Sequence, residues 1–257
     1  MSAVPSLRLA VGTLTVWPAG RVDDLNATVA RNAMVLGPLA VLPLVLLATV
    51  TAWASHWLGA PDLVTGMLAV AVLALGTRAL HLDGLADTVD GLGSGWDRHK
   101  ALQVMRRGDV GPMGVVVLVL VLVLQAAAFG ALVDGIWGAV QLAVLLCCSR
   151  AALVLVCLRG VPAARPDGLG AAVAGSVPMV AAVAVWLGVA TVLTATSVVA
   201  GDSWVTGPVA TLLALAAVGL LLRRCIRRLG GVTGDVMGAC IEVACTALAV
   251  GTVLQWS

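Results

Sequence analysis

The chain has 257 residues, of which 61% are hydrophobic and only 11% charged. A formal net charge of +2, with the bases scattered along the chain, gives no footprint for nucleic acid. No polar face recurs at the helical or the strand period, which excludes a soluble α/β domain and the alternating pattern of a β-barrel.

What remains is an all-α, polytopic integral membrane protein, because a helix satisfies its own backbone groups in lipid. Residues 1–20 carry a short apolar run, LAVGTLTVW, after Arg8. No small-x-small cleavage site follows it, so the reading is an interfacial helix leading into the first span rather than a cleaved signal. A span needs roughly 20 mostly apolar residues, and seven are predicted, at about 33–53, 62–80, 110–130, 136–158, 172–200, 204–222 and 234–256. The fifth is long and carries Pro178, which predicts a kink or a short re-entrant piece. No repeat or low-complexity tail divides the chain, so residues 1–257 are read as a single membrane-embedded domain.

The connections set an expected orientation. All 15 Lys and Arg residues fall before the first span or in or near the connections after the second, fourth and sixth. The positive-inside rule then puts the N-terminus and the bases in the cytoplasm and the C-terminus outside. Trp53, Trp57, Trp137, Trp204 and Trp256 fall at the opposite interface, where indoles prefer to sit. The expected location is the cell (inner) membrane. The six cysteines show no CxxC spacing and read as reduced, inert small hydrophobes.

The stretch RALHLDGLADTVDGLGSGWDRHK, residues 78–100, follows the second span. If that span continues as a helix, Asp83, Asp87 and Asp90 stand at i, i+4 and i+7, within roughly a 60° arc. Like charges so placed repel. A solvated helix end would tolerate them. A bound divalent cation would turn the repulsion into ligation, and oxygen donors without His or Cys suit Mg²⁺, Mn²⁺ or Ca²⁺.

A second acidic place is RRLGGVTGDVMGACIE, residues 227–242, on the same expected face. Asp235 opens the last span, and Glu242, the only glutamate in the chain, lies seven residues on inside an apolar helix. An intramembrane acid is costly and faces a cavity or a partner, here a substrate or an arginine such as Arg150. The Gly234–Gly238 G-x-x-x-G step would let this helix approach the aspartate helix. Arg106 and Arg150 are candidate phosphate ligands, since the guanidinium fork suits bidentate recognition. Arg159, Arg223, Arg224, Arg227 and Arg228 read as lipid-headgroup anchors. Acids for a metal beside cations for phosphate are the equipment of phosphoryl transfer.

HLDGLADTVDGL…DRHKALQVMRRGDVGPMGV closely resembles the signature region of the cobalamin synthase (adenosylcobinamide-GDP ribazoletransferase) family. TLTVWP, SRAALVLVCL…ARPDGLG and LGGVTGDVMGACIE are similar to further family stretches, in order, so the resemblance spans nearly the whole chain. Two departures stand out. Arg78-Ala79 replaces the small Gly-rich turn before the histidine, and R-R-G-D-V-G at 106–111 replaces K-D-S-R-I-G, so no role is carried onto Arg107 or Asp109.

The resemblance implies an Mg²⁺-dependent membrane transferase that joins adenosylcobinamide-GDP to α-ribazole or its 5′-phosphate and releases GMP. It implies that Asp83 and Asp87, with Asp90, hold the metal. Asp90, Asp235 or His81 is the expected proton acceptor. Arg150, Arg106 and Glu242 are the expected substrate contacts. The lipid bilayer is the expected surroundings, and a homo-oligomer is left open. Two other readings are a CDP-alcohol phosphotransferase-like enzyme, whose D-x-x-D-G-x-x-A-R signature does not read here, and a cation- or proton-coupled transporter, for which no inverted repeat shows.

Overall fold

In a computed structural model, residues 3–22 and 24–254 are described. They form α1 (Ala3–Leu14), α2 (Ala27–Ala40), α3 (Leu42–Trp57), α4 (Asp62–Gly76), α5 (Leu80–Gly93), α6 (Arg98–Val104) and α7 (Pro112–Leu132). After these come α8 (Ile136–Cys148), a 3-10 turn (Ser149–Ala151), α9 (Ala152–Val156), α10 (Gly168–Val173), α11 (Met179–Ala200), α12 (Thr206–Leu229) and α13 (Gly234–Val253). Among the described residues there is no strand, only isolated bridges Leu158–Val177 and Ala163–Val232 that dock the loop after α9.

Among the described residues, six helical segments are long and apolar enough to cross a membrane, and the bent α4–α5 pair would make a seventh. They turn large apolar side chains outward. Val115, Val119 and Val123 of α7 and Val180, Val183 and Leu187 of α11 are each about half exposed or more. Water would not tolerate such a band, whereas lipid is as apolar as the side chains themselves. The chain is a multi-pass membrane protein.

The structure moves several expected boundaries. The first span runs from Ala27 to Trp57 and is interrupted at Val41, with Pro38 inside α2 and Pro43 in the first turn of α3. Each proline lacks the N–H that would bridge to the preceding turn. Pro178 neither kinks a span nor marks a re-entrant piece: it is the N-cap of α11, and the segment before it is a loop carrying α10. The sixth span continues through Arg223, Arg224, Arg227 and Arg228 to Leu229. Arg228 is not free to anchor a headgroup, because it is buried with its guanidinium carbon 4.2 Å from the ring centroid of Trp96. Trp256 lies outside the described residues. The N-terminal run is a separate helix, α1, which buries Ser6, Ala10 and Leu14 and exposes Val4 and Leu7. All six cysteines are unpaired, five of them buried.

The largest departure is in the second span, which stops at Gly76 and turns through 90° into α5. Gly76 closes α4, but no glycine or proline occupies the turn itself, residues 77–79. The Ala79 N–H donates to the Ala74 carbonyl at 2.7 Å and the Arg78 N–H to that of Leu75 at 3.1 Å, the paired bonds of a Schellman helix end. That motif needs left-handed backbone at the residue filled here by Arg78, at φ 54°, and Ala79 after it is left-handed as well, at φ 55°, neither being glycine. The departure from the family's Gly-rich turn thus falls on the two residues whose conformation favours glycine. The segment after α1 docks on the same turn, with the Val16 N–H donating to the Gly76 carbonyl at 2.8 Å.

Relieving this strain should be measurable. Ala79→Gly should raise the thermal midpoint of the detergent-solubilised protein, by the equivalent of roughly 0.5–1 kcal/mol, and Ala79→Val should lower it. A lower midpoint for the glycine variant would show that the left-handed turn is not strained.

Candidate active site

The aspartates lie on α5 at the helical spacing the sequence predicts, though α5 is a new helix rather than a continuation of the second span. α5 packs along α13 through small residues. A Cβ on Gly84 would come within 2.6 Å of the Asp235 carbonyl oxygen, and one on Gly238 would lie 3.0 Å from the His81 Cα. The expected close approach is therefore present, but its partners are Gly84 and Gly238. Gly234 instead faces Leu169 across ordinary contact distance.

This contact brings Asp83, His81 and Asp235 to one cavity of about 180 Å³. Asp83 is exposed while Asp87, one turn on, is buried. The Asp87 carboxylate feels the charges of Asp83, Asp235 and Asp90 together, with Arg165 as the opposing cation. Asp235 is fixed at the start of α13, where the Thr233 hydroxyl donates to its Oδ2 at 3.1 Å and accepts from the Val236 N–H at 3.3 Å. Arg165 approaches the same Oδ2 at 3.9 Å and donates to the Leu102 carbonyl at 2.9 Å. Its place in a loop, far from both acidic motifs in sequence, hid it. The only signal was its position in the family-like ARPDGLG stretch.

Asp90 is engaged elsewhere. Its Oδ2 accepts the Gly111 N–H at 2.7 Å and its Oδ1 the Gly114 N–H at 2.9 Å, so the carboxylate caps the positive end of α7. A Cβ on either glycine would run into that carboxylate. Among the described residues, no three Asp, Glu, His or Cys side chains converge closely enough to hold a metal by themselves.

The remaining candidates separate from this cluster. Glu242 accepts from the Gln125 Nε2 at 2.8 Å and has its Oε1 3.9 Å from the His81 Nδ1. Gln125, a lone amide in the Val/Leu run of α7, was the overlooked partner, and that isolation was its signal. Arg150 is buried and turned back on its own chain, donating to the Leu146 carbonyl at 3.0 Å and the Ser149 hydroxyl at 2.7 Å. It lines a small cavity with Glu242 and Gln125 and makes no ion pair with Glu242. The Arg106 Nη2 donates to both carboxylate oxygens of Asp167, at 3.0 and 3.1 Å, on the exposed surface.

The sequence model described as cobalamin-5-phosphate synthase matches residues 6–253. The chain belongs to this family. It is 44% identical to an adenosylcobinamide-GDP ribazoletransferase of a Nocardioides species, over 97% of both chains. It is 38% identical to a protein of the same description from Frankia casuarinae, over 93% of this chain and 91% of that one. A Bradyrhizobium diazoefficiens relative, also so described, is 36% identical over 93% and 89%. No solved structure matches. The resemblance read from the motifs is thus the family found by comparison, and the two acidic motifs of this synthase-family chain are the ones its fold brings into contact.

The cap on α7 predicts a phenotype for Asp90 that differs from loss of a metal ligand. Gly114→Ala removes no carboxylate yet obstructs the cap, so it should lower the thermal midpoint and activity together, as Asp90→Ala should. Losing such a cap costs about 1 kcal/mol. A normal midpoint in Asp90→Ala would show that the cap contributes nothing.

Proposed function

We propose that this chain joins adenosylcobinamide-GDP to α-ribazole or its 5′-phosphate, forming adenosylcobalamin or its 5′-phosphate and releasing GMP in the late assembly of the cobalamin nucleotide loop. The observation that carries this reading is the family match over residues 6–253, on a chain whose two acidic motifs meet at one cavity. Family membership sets aside the lipid phosphotransferase and the transporter.

In this reading a ribose hydroxyl of the ribazole attacks the phosphorus attached to the corrinoid side chain. The new P–O bond forms as the bond to the bridging oxygen breaks, and GMP leaves with that oxygen. The hydroxyl proton passes to a carboxylate. Asp235 is the acceptor we assign, because it lines the cavity and is held in place by Thr233; His81, also on the cavity wall, is the second candidate.

The donor set fits Mg²⁺. Asp83 and Asp87 offer hard oxygens one helical turn apart amid an excess of negative charge. Mg²⁺ is commonly held by one or two carboxylates plus substrate phosphates, so a third protein ligand is not required. Bound there, the cation would neutralise charge on the diphosphate. Arg165, rather than Arg150, is the cation placed to balance the acids when substrate is absent.

The site faces the cytoplasm in our reading, with the N-terminus inside and the C-terminus outside the cell membrane, as the arginine distribution supports.

Two experiments test these statements. Membranes containing the protein should release GMP from adenosylcobinamide-GDP only when α-ribazole and Mg²⁺ are both present. Asp83→Asn and Asp87→Asn should each reduce the rate by orders of magnitude at normal expression, because asparagine keeps the shape and loses the charge. Full activity in either variant would remove that residue from the metal site. In a cysteine-free background, Leu58→Cys should react with an impermeant thiol reagent on sealed cells, and His99→Cys only after lysis. The reverse pattern would invert the topology.

A further inference from the structure

We infer that the 180 Å³ cavity between α5 and α13 is the seat of the acceptor, holding the aromatic base of the ribazole in its apolar depth with the ribose toward Asp83 and Asp235. This inference rests on the proposed function. The cavity has two chemically distinct parts. Leu14, Leu153, Met237 and Ile241 are almost wholly buried and form the apolar part of its wall, with Leu169 of α10 beside them. Asp83, exposed, Asp235 and Thr13, partly exposed, and the buried His81 supply its polar groups.

The reaction must seat three groups, and their chemistry discriminates between them. The corrinoid macrocycle is far too large for this volume. A guanine carries an oxygen acceptor and several N–H donors along one edge, more polar atoms than the Thr13 hydroxyl and the His81 ring on this otherwise apolar wall can pair, and each one left over costs about 1–3 kcal/mol. A benzimidazole base joined to ribose has no N–H. It buries an apolar aromatic surface, and its one remaining polar atom is a ring nitrogen that accepts a single hydrogen bond. With the base so seated, the sugar hydroxyls meet carboxylates, which are acceptors suited to a hydroxyl donor and to the proton that leaves it. The small cavity also accounts for the part played by α1, whose Thr13 and Leu14 reach the same wall from the TLTVWP stretch. The diphosphate and the corrinoid then approach from the side of Asp87 and Arg165, outside the apolar wall.

Leu169 is the position to test, since it lies on the short helix α10 rather than inside a span. Leu169→Trp fills the cavity and should raise KM for α-ribazole by about tenfold or more, while KM for adenosylcobinamide-GDP changes less than twofold. Leu169→Ala enlarges it and should shift the preference toward ribosides of bulkier benzimidazoles, which serves as the test if the tryptophan variant does not fold. A rise in KM for the corrinoid nucleotide instead, or unchanged preference in Leu169→Ala, would overturn the assignment. Absence of GMP release by the wild-type protein would instead overturn the proposed function, so the two failures are distinguishable.

Discussion

The close contact between α5 and α13 is the constraint on which the rest of this structure depends. Gly84 lies against the backbone of Asp235, and Gly238 against that of His81. In lipid there is no hydrophobic drive between helices, so association relies on packing at short range, and only small residues permit it. That packing sets carboxylates from two distant stretches of sequence on one cavity. It also creates the electrostatic problem of the site, because Asp87 is buried beside other acids. Cations answer it: Arg165 from the loop after α9 and, in our reading, a metal with the substrate's phosphates.

The same economy governs the polar groups deeper in the bundle. Glu242 is held by Gln125, Arg150 by a carbonyl and a hydroxyl of its own segment, and Gln141 by Ser197 and Asp202. Each is a costly group placed in an apolar interior and given a local partner. These buried groups are met by partners of their own, whereas Asp83 is exposed. Depth in the membrane, taken from sequence alone, does not separate these two uses of a charged residue, and Arg150 illustrates the point.

Much of the architecture was legible because span length and hydropathy are set by the thickness of lipid, and the acidic motifs stood out against an apolar chain. The 90° turn after Gly76 was not legible, since it is built from Arg78 and Ala79, residues that carry no turn signal. The helical spacing of the three aspartates was correct, yet spacing says nothing of what lies opposite. Asp90 meets α7 more than twenty residues away, and only the fold shows that both its oxygens are engaged. Gly234 was a reasonable contact residue by motif, but the helix rotation turned it to Leu169 and used Gly84 instead. Arg228 looked like a headgroup anchor until the loop after α5 brought Trp96 onto it.

Helix α1 has a consequence of its own. With 12 residues it is about 18 Å long, too short to cross a bilayer core. Its outer face presents Val4 and Leu7, and its inner face ends in Leu14 on the cavity wall. The Val16–Gly76 bond ties its end to the turn that launches the aspartate helix. A helix with an apolar outer face therefore holds both a wall of the cavity and the turn that sets the direction of the aspartate helix.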